Sequence, residues 1–128
     1  MSLDKFKIKI KKPLRQVSLC FLVKGDEVLL AMKKRGFGKG RWNGVGGKPD
    51  EKEKLDDCAI RETKEEINID ATKLHKVASL KFYFPHEPLN KDWNQEVVVY
   101  SIDEWEGHPK ETEEMKPKWF FDFNFKFI

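Results

Sequence analysis

Residues 46–69 read GGKPDEKEKLDDCAIRETKEEINI, and the fold and chemistry of the chain are best approached from this stretch. A Gly-Gly turn leads into acidic residues and then into an amphipathic helix, which we expect to begin near Lys54. Near the end of this helix, Glu65 and Glu66 follow Glu62 by three and four positions. Side chains at those intervals lie on one face of a helix, so the three carboxylates are predicted to point the same way.

Three neighbouring carboxylates favour a bound cation. Without one, they repel each other by about a few tenths of a kcal/mol per pair, and their charge opposes the dipole at the helix C-terminus. Carboxylate oxygens suit a hard divalent ion, which in proteins commonly binds substrate phosphates as well. We therefore predict a Mg²⁺ site, with Mn²⁺ as the alternative ion. Arg61 lies four positions before Glu65, where its guanidinium can orient one carboxylate.

The spacing of this stretch resembles the Nudix box. The match consists of one glycine, five charged residues and a closing aliphatic residue at the expected intervals: Gly47, Glu53, Arg61, Glu62, Glu65, Glu66 and Ile69. Two positions depart from the pattern, because Thr63 replaces an aliphatic residue and Asn68 replaces a glycine. Asparagine is the next-best residue for the left-handed turn that ends a helix, so Asn68 is a mild change. Thr63 removes a core-facing aliphatic group and is expected to loosen the packing of the helix.

Length and composition limit the class of protein. The 128 residues predict a single domain over 1–128, and a net charge of +3 argues against a general nucleic-acid binder. No apolar run is long enough to span a membrane, and no secretory signal is visible. Cys20 and Cys58 lack CxxC spacing, so reduced thiols are expected. These features favour a cytoplasmic protein, with the nucleus and the mitochondrion as alternative compartments.

The N-terminal residues 1–12 are basic, and apolar side chains alternate with lysines at Phe6, Ile8 and Ile10. This pattern predicts an edge strand guarded by lysines, or a mobile arm. The alternative is a segment that binds nucleic acid or a membrane surface.

Alternation and turn residues predict the remaining strands. Val17–Val23 and Val28–Met32 form a hairpin, and further strands are expected over 73–85 and 95–105. Residues 106–118 are predicted to be a charged loop, followed by a partly alternating aromatic stretch to the end of the chain.

Residues 33–47 contain six glycines but lack the P-loop pattern, so they predict a loop that approaches a ligand closely. Trp42 in this loop is predicted to anchor the core. Asn43 is placed either to cap the loop or to read a base.

Three runs extend the resemblance to the MutT-type Nudix enzymes of animals: VLLAMKKRGFGKGRWNGVGGK, LHKV and ETEEMKPKWF. It covers about residues 17–121. It implies an α/β (α+β) fold, with a mixed β-sheet and the box helix on one face. It further implies Mg²⁺-dependent hydrolysis of oxidised purine nucleoside triphosphates, such as 8-oxo-dGTP, to a nucleoside monophosphate and pyrophosphate.

The same resemblance assigns residues to roles. The metal would be held by the carboxylates of Glu62, Glu65 and Glu66 and by a backbone carbonyl at Gly46. Glu66 would also position or deprotonate the attacking water. Three further catalytic positions carry over, in which Arg61 orients carboxylates, Glu53 braces the loop and Glu114 faces the metal across the cleft. The base pocket would comprise Ser18, Lys33, Phe37, Asn43, Phe82 and Met115.

One departure from that family concerns the segment after Trp119-Phe120. The adjacent aspartates that read the purine edge are not found there, and the residues up to Ile128 are too few for the C-terminal helix. We therefore expect weaker base selectivity and an uncovered sheet face, and hence a monomer or a protein that self-associates through that face. The alternatives are hydrolysis of another diphosphate-linked substrate, a non-catalytic nucleotide-binding module, and nucleic-acid binding through residues 5–15.

Overall fold

The computed structural model describes residues 2–10, 13–88 and 93–121, and these form a mixed α/β structure. Its elements in chain order are α1 (Leu3–Lys9), β1 (Arg15–Lys24), β2 (Glu27–Lys33), β3 (Trp42–Asn43), α2 (Leu55–Ile67), β4 (Asp70–Phe82), β5 (Gln95–Glu106) and β6 (Met115–Phe121). The strands lie in the order β3-β2-β1-β5-β4, and β6 pairs with β2. Strands β1 and β5 are parallel and the other pairs are antiparallel, so the predicted mixed sheet is confirmed.

The predicted hairpin is confirmed with slightly longer strands, because Lys24 of β1 pairs with Glu27 of β2 around a two-residue turn. The two strands predicted over 73–85 and 95–105 correspond to β4 and β5. The charged loop predicted over 106–118 is shorter than expected, because β6 begins at Met115 and pairs with Lys33.

Helix α2 packs on the sheet through the apolar face that the sequence predicts. Cys58, Ala59 and Ile67 are fully buried, and the last two belong to the same core cluster as Cys20 and Leu22 of β1. The helix begins after Lys54, as expected, and ends at a residue with φ 62°, the left-handed conformation predicted for Asn68.

Thr63 is also fully buried on this face of α2, where its hydroxyl donates a 2.7 Å hydrogen bond to the carbonyl of Ala59. The polar atom therefore has a partner within its own helix, and the core accepts threonine at this position.

The edge strand predicted for residues 1–12 is wrong, because residues 3–9 form a helix. The Ser2 hydroxyl accepts a 3.2 Å hydrogen bond from the backbone N–H of Lys5, which caps the first turn. Phe6 is buried and meets the ring of Tyr83 edge-on, with centroids 6.4 Å apart. A cap and one buried anchor therefore override the alternating pattern.

Trp42 is not the core anchor that the sequence predicts. It is 37% exposed on the short strand β3, and its ring meets Phe120 edge-on with centroids 5.3 Å apart.

Apolar side chains are exposed along β4, among them Val77, Leu80 and Phe82. Self-association through such a face stays a prediction, as does the compartment. The segment in which the C-terminal helix was expected to be missing begins at residue 122 and lies outside the described residues. Within the described part, no helix is long and apolar enough to cross a membrane.

Candidate active site

The Gly-rich segment that precedes the box runs beside β1. The backbones of Cys20 and Val45 exchange two hydrogen bonds, of 2.5 and 3.0 Å, and the N–H of Ser18 donates to the carbonyl of Gly47 at 2.8 Å. Ser18 also hydrogen-bonds Gly47 through its hydroxyl, at 3.1 and 3.2 Å. These bonds hold residues 45–47 in an extended conformation next to the strand.

Gly46 is required by this close approach. A Cβ built at this position would lie 2.1 Å from the carbonyl oxygen of Ser18, and the backbone has φ 152°. The N–H of Gly46 points instead at α2, where it donates a 3.2 Å hydrogen bond to Oε1 of Glu66. The glycine thus brings a backbone donor to the helix carboxylate.

Glu66 is an unusual carboxylate because it is only 3% exposed. Its Oε1 has the Gly46 donor, but its Oε2 is buried and has no hydrogen-bond partner among the described residues. Burial, followed by the nearby Glu62 and the charge of Glu114, raises the pKa of Glu66 to about 8. A buried carboxyl oxygen without a donor fits a position that accepts a cation or a proton.

Arg61 organises the other carboxylates of α2. Its Nε and Nη2 each donate a 2.9 Å hydrogen bond to Glu53, which forms a bidentate pair. This guanidinium, with the backbone N–H of Asp50, lowers the pKa of Glu53 to about 2. Nη1 of Arg61 donates to Glu62 at 2.9 Å and to Glu65 at 3.2 Å.

Glu62 also packs closely against Gly47. A Cβ built at Gly47 would lie 2.8 Å from the carboxyl carbon of Glu62. The structure therefore brings Glu62 and Glu66 together beside the extended Gly46-Gly47 segment. Their oxygens, one of them buried and unpartnered, are of the type that Mg²⁺ prefers. Among the described residues, no three acidic, His or Cys side chains surround a common point, since Glu65 lies against Arg61.

Glu114 approaches this site from the segment before β6. Its charge contributes to the raised pKa of Glu66, and its carboxylate pairs with Arg35 at 3.4 Å. Glu114 thus lies close enough to Glu66 to raise its pKa, and a catalytic role for Glu114 stays a prediction.

A cavity of about 450 Å³ lies next to the Gly-rich loop and brings together four of the six residues predicted for a base pocket: Lys33, Phe37, Asn43 and Met115. The Asn43 side chain also accepts a 2.8 Å hydrogen bond from the N–H of Gly44, so it caps the loop. Arg41 lines the same cavity, although the sequence analysis did not predict it. Its position two residues before Asn43 in the Gly-rich loop could have indicated it.

Ser18 and Phe82 do not line this cavity. Ser18 is buried, and its hydroxyl hydrogen-bonds Gly47. Phe82 lies at the end of β4, opposite Gln95, and is 43% exposed. Their roles in substrate binding stay predictions without a supporting contact.

The comparisons with known proteins agree with this arrangement. The family model for the NUDIX domain matches residues 12–124. The chain is 45% identical over 106 residues to the oxidized purine nucleoside triphosphate hydrolase of Mus musculus, covering 83% of this chain and 65% of that protein. It is 42% identical to the protein of the same name from Danio rerio, covering 81% of this chain and 64% of that protein. The chain thus spans about two-thirds of the length of these relatives, or slightly less.

Solved structures show the same fold. The crystal structure of a MutT NUDIX hydrolase from Burkholderia pseudomallei superposes with a TM-score of 0.73 at 22% sequence identity, and the match covers 88% of this chain and 86% of the other.

Proposed function

Because the chain belongs to the Nudix family, we propose that it hydrolyses oxidised purine nucleoside triphosphates, such as 8-oxo-dGTP, to a nucleoside monophosphate and pyrophosphate. The names of the mouse and zebrafish relatives support this substrate class. The observation that carries the proposal is the buried carboxylate of Glu66, whose Oε2 has no partner among the described residues, beside the N–H of Gly46.

Nudix proteins typically depend on divalent metal ions, and for this chain the ion is proposed to be Mg²⁺, with Mn²⁺ as the alternative. Glu62, Glu66 and the backbone at Gly46 would hold it, and Glu65 would join them once its carboxylate has turned away from Arg61. Bound there, the ion would neutralise charge on the phosphate oxygens.

The residues of the chain then have distinct tasks. The carboxylate of Glu66 accepts a proton at Oε2 from a water that attacks the α-phosphorus, while Gly46 holds Oε1 in place. The bond from the α-phosphorus to the oxygen that bridges to the β-phosphate breaks, and pyrophosphate leaves. Arg61 keeps Glu62 in position, and Glu53 holds Arg61.

The purine would lie in the cavity beside Phe37, where an aromatic ring, a side-chain amide and the cations of Lys33 and Arg41 are available. Of the described residues that line this cavity, none is acidic. This observation favours a second candidate function, in which the enzyme hydrolyses another diphosphate-linked nucleotide or an unmodified nucleoside triphosphate.

The test is pyrophosphate release from 8-oxo-dGTP, dGTP and 2-hydroxy-dATP, with nucleotide release from a dinucleoside polyphosphate measured in parallel, each with and without Mg²⁺. The proposal predicts Mg²⁺-dependent turnover with the oxidised purines preferred. Equal turnover of all substrates supports the second candidate. Saturable nucleotide binding without any turnover identifies a binding module and overturns both.

A further inference from the structure

A second cavity, of about 620 Å³, lies at the beginning of β1. It is bordered by Lys48, the residue after Gly47, and by the adjoining ends of β1, β4 and β5. The lining residues that matter here are Arg15, Gln16, Lys48, Lys81, Tyr83 and Glu96.

This cavity is cationic. Arg15, Lys48 and Lys81 line it, and Nζ of Lys7 lies 5.1 Å from the centre of the Tyr83 ring in the same wall. In the described part of the chain, none of these four basic side chains has an ion pair within 4.0 Å. Nε of Arg15 is buried and has no hydrogen-bond partner among the described residues.

The one acidic residue that lines the cavity is already engaged. Glu96 accepts a 2.8 Å hydrogen bond from Gln16 at Oε1 and a second hydrogen bond from the hydroxyl of Ser79 at Oε2. These bonds lower the pKa of Glu96, so it stays ionised and offsets one positive charge, and the basic side chains still outnumber it.

The position of the cationic cavity relative to the carboxylates indicates which part of a substrate it would bind. Residues 43–48 connect the two cavities and the carboxylates in chain order. Asn43 and Gly44 line the first cavity, and Lys48 lines the cationic cavity. Between them, Gly46 hydrogen-bonds Glu66 and Gly47 lies against Glu62. Hydrogen bonds to β1 keep the middle of this segment extended. Four residues of extended chain, from Gly44 to Lys48, span about 13 Å. A nucleoside triphosphate laid along it would put its base at one end and its terminal phosphates at the other.

We propose that the cationic cavity binds the β- and γ-phosphates of the substrate and so holds the pyrophosphate that leaves. The inference rests on the proposed function for the identity of the ligand. Pyrophosphate carries several negative charges, and a guanidinium with two lysine ammonium groups matches them. Arg15 and Lys81 are then phosphate-binding residues that lie outside the Nudix box.

The experiment measures the binding of Mg²⁺-pyrophosphate by calorimetry, which needs no turnover. Lys81→Gln changes an exposed side chain, and the double variant Arg15→Gln/Lys81→Gln removes both cations. Lys73→Gln is the matched control, because Lys73 is on the same strand, is 59% exposed and pairs with Glu104 at 3.8 Å. Thermal unfolding of each variant shows whether Arg15 is also needed for folding.

The proposal predicts that the dissociation constant of pyrophosphate rises about 3-fold in Lys81→Gln and about 10-fold in the double variant. Binding to Lys73→Gln stays as in the wild type, and inhibition by the monophosphate product is unchanged in all variants. Pyrophosphate binding that is absent in the wild type, or unchanged in Lys81→Gln, overturns the inference. A loss of pyrophosphate affinity of equal size in Lys73→Gln also overturns it, because the overall charge of the protein then accounts for the effect.

Different experimental results would overturn the proposed function and the proposed phosphate-binding site. Lys81-dependent pyrophosphate binding without hydrolysis of any nucleotide keeps the cationic site and removes the proposed function. Hydrolysis that continues with an unchanged KM in the double variant keeps the function and removes the site.

Discussion

The two ends of the proposed cleft are built in different ways. At the helix end, Glu66 is 3% exposed and Arg61 holds three carboxylates by hydrogen bonds of 2.9 to 3.3 Å. At the other end, the ring of Phe37 is 97% exposed. Phe37 also borders a third cavity, of about 350 Å³, with Arg15, Phe84, Trp93 and Gln95.

This difference indicates that the helix end of the cleft determines turnover and that the loop end determines which base is preferred. The hydrogen bonds of the carboxylates are made mostly within residues 46–66, and β1 supports the Gly46-Gly47 segment through Ser18. The base cavity is assembled from the Gly-rich loop, β2 and Met115, and its most exposed member has little to hold it in place. We therefore expect substitutions at the helix end to abolish turnover, and substitutions at the loop end to change which base is preferred.

The largest effect is expected for Glu66→Gln. The amide keeps the size of the side chain but cannot accept the proton of the attacking water, so kcat should fall about 10³-fold. Steady-state pyrophosphate release measures it, with Glu113→Gln as the control, since that side chain is 90% exposed. A kcat that stays near the wild-type value would remove Glu66 from its assigned role.

A smaller loss is expected for Arg61→Lys. One ammonium group cannot reproduce the fork that binds Glu53 at two oxygens and also reaches Glu62 and Glu65. Glu62 should then move relative to the Gly46-Gly47 segment, and kcat should fall about 10- to 100-fold while the fold is kept. Unchanged kinetics in a folded variant would show that the Arg61 network is only structural.

The smallest effect is expected for Phe37→Ala. Because the ring is almost fully exposed, its removal should change the stability by less than about 0.5 kcal/mol. Loss of a stacking surface should raise KM by about 3- to 10-fold with kcat nearly unchanged. The control is Ile8→Ala, at a residue that is 81% exposed on α1. A large fall in kcat would mean that the loop end also orders the catalytic groups.

The same distinction explains what could be predicted from the sequence. Intervals of three and four residues predict helix α2 and the grouping of Glu62 with Glu66. The residue type of Asn68 predicts the left-handed end of the helix. Helical periodicity does not give the course of the loop before α2, so it missed the pair of Arg61 with Glu53, eight residues earlier. It also missed Arg41, which lies in the irregular Gly-rich loop.

Two errors have a common cause. Residues 3–9 alternate like a strand, yet a capping serine and the contact of Phe6 with Tyr83, far away in the chain, favour a helix. Trp42 has the size of a core residue, but β3 lies at the edge of the sheet and leaves it partly exposed. In both cases a tertiary contact or position outweighs the local pattern.

We infer that burial keeps Glu66 protonated in the metal-free protein, and that a divalent cation bound beside it displaces this proton. With a pKa raised to about 8, the carboxyl is mostly protonated at pH 7 and mostly ionised at pH 9. Titration of the metal-free protein with Mg²⁺ in a pH-stat measures the protons that binding releases. We predict close to one proton per ion at pH 7, far fewer at pH 9, and almost none from Glu66→Gln at either pH. Equal proton release from the wild type and Glu66→Gln at pH 7 would show that Glu66 does not carry the displaced proton.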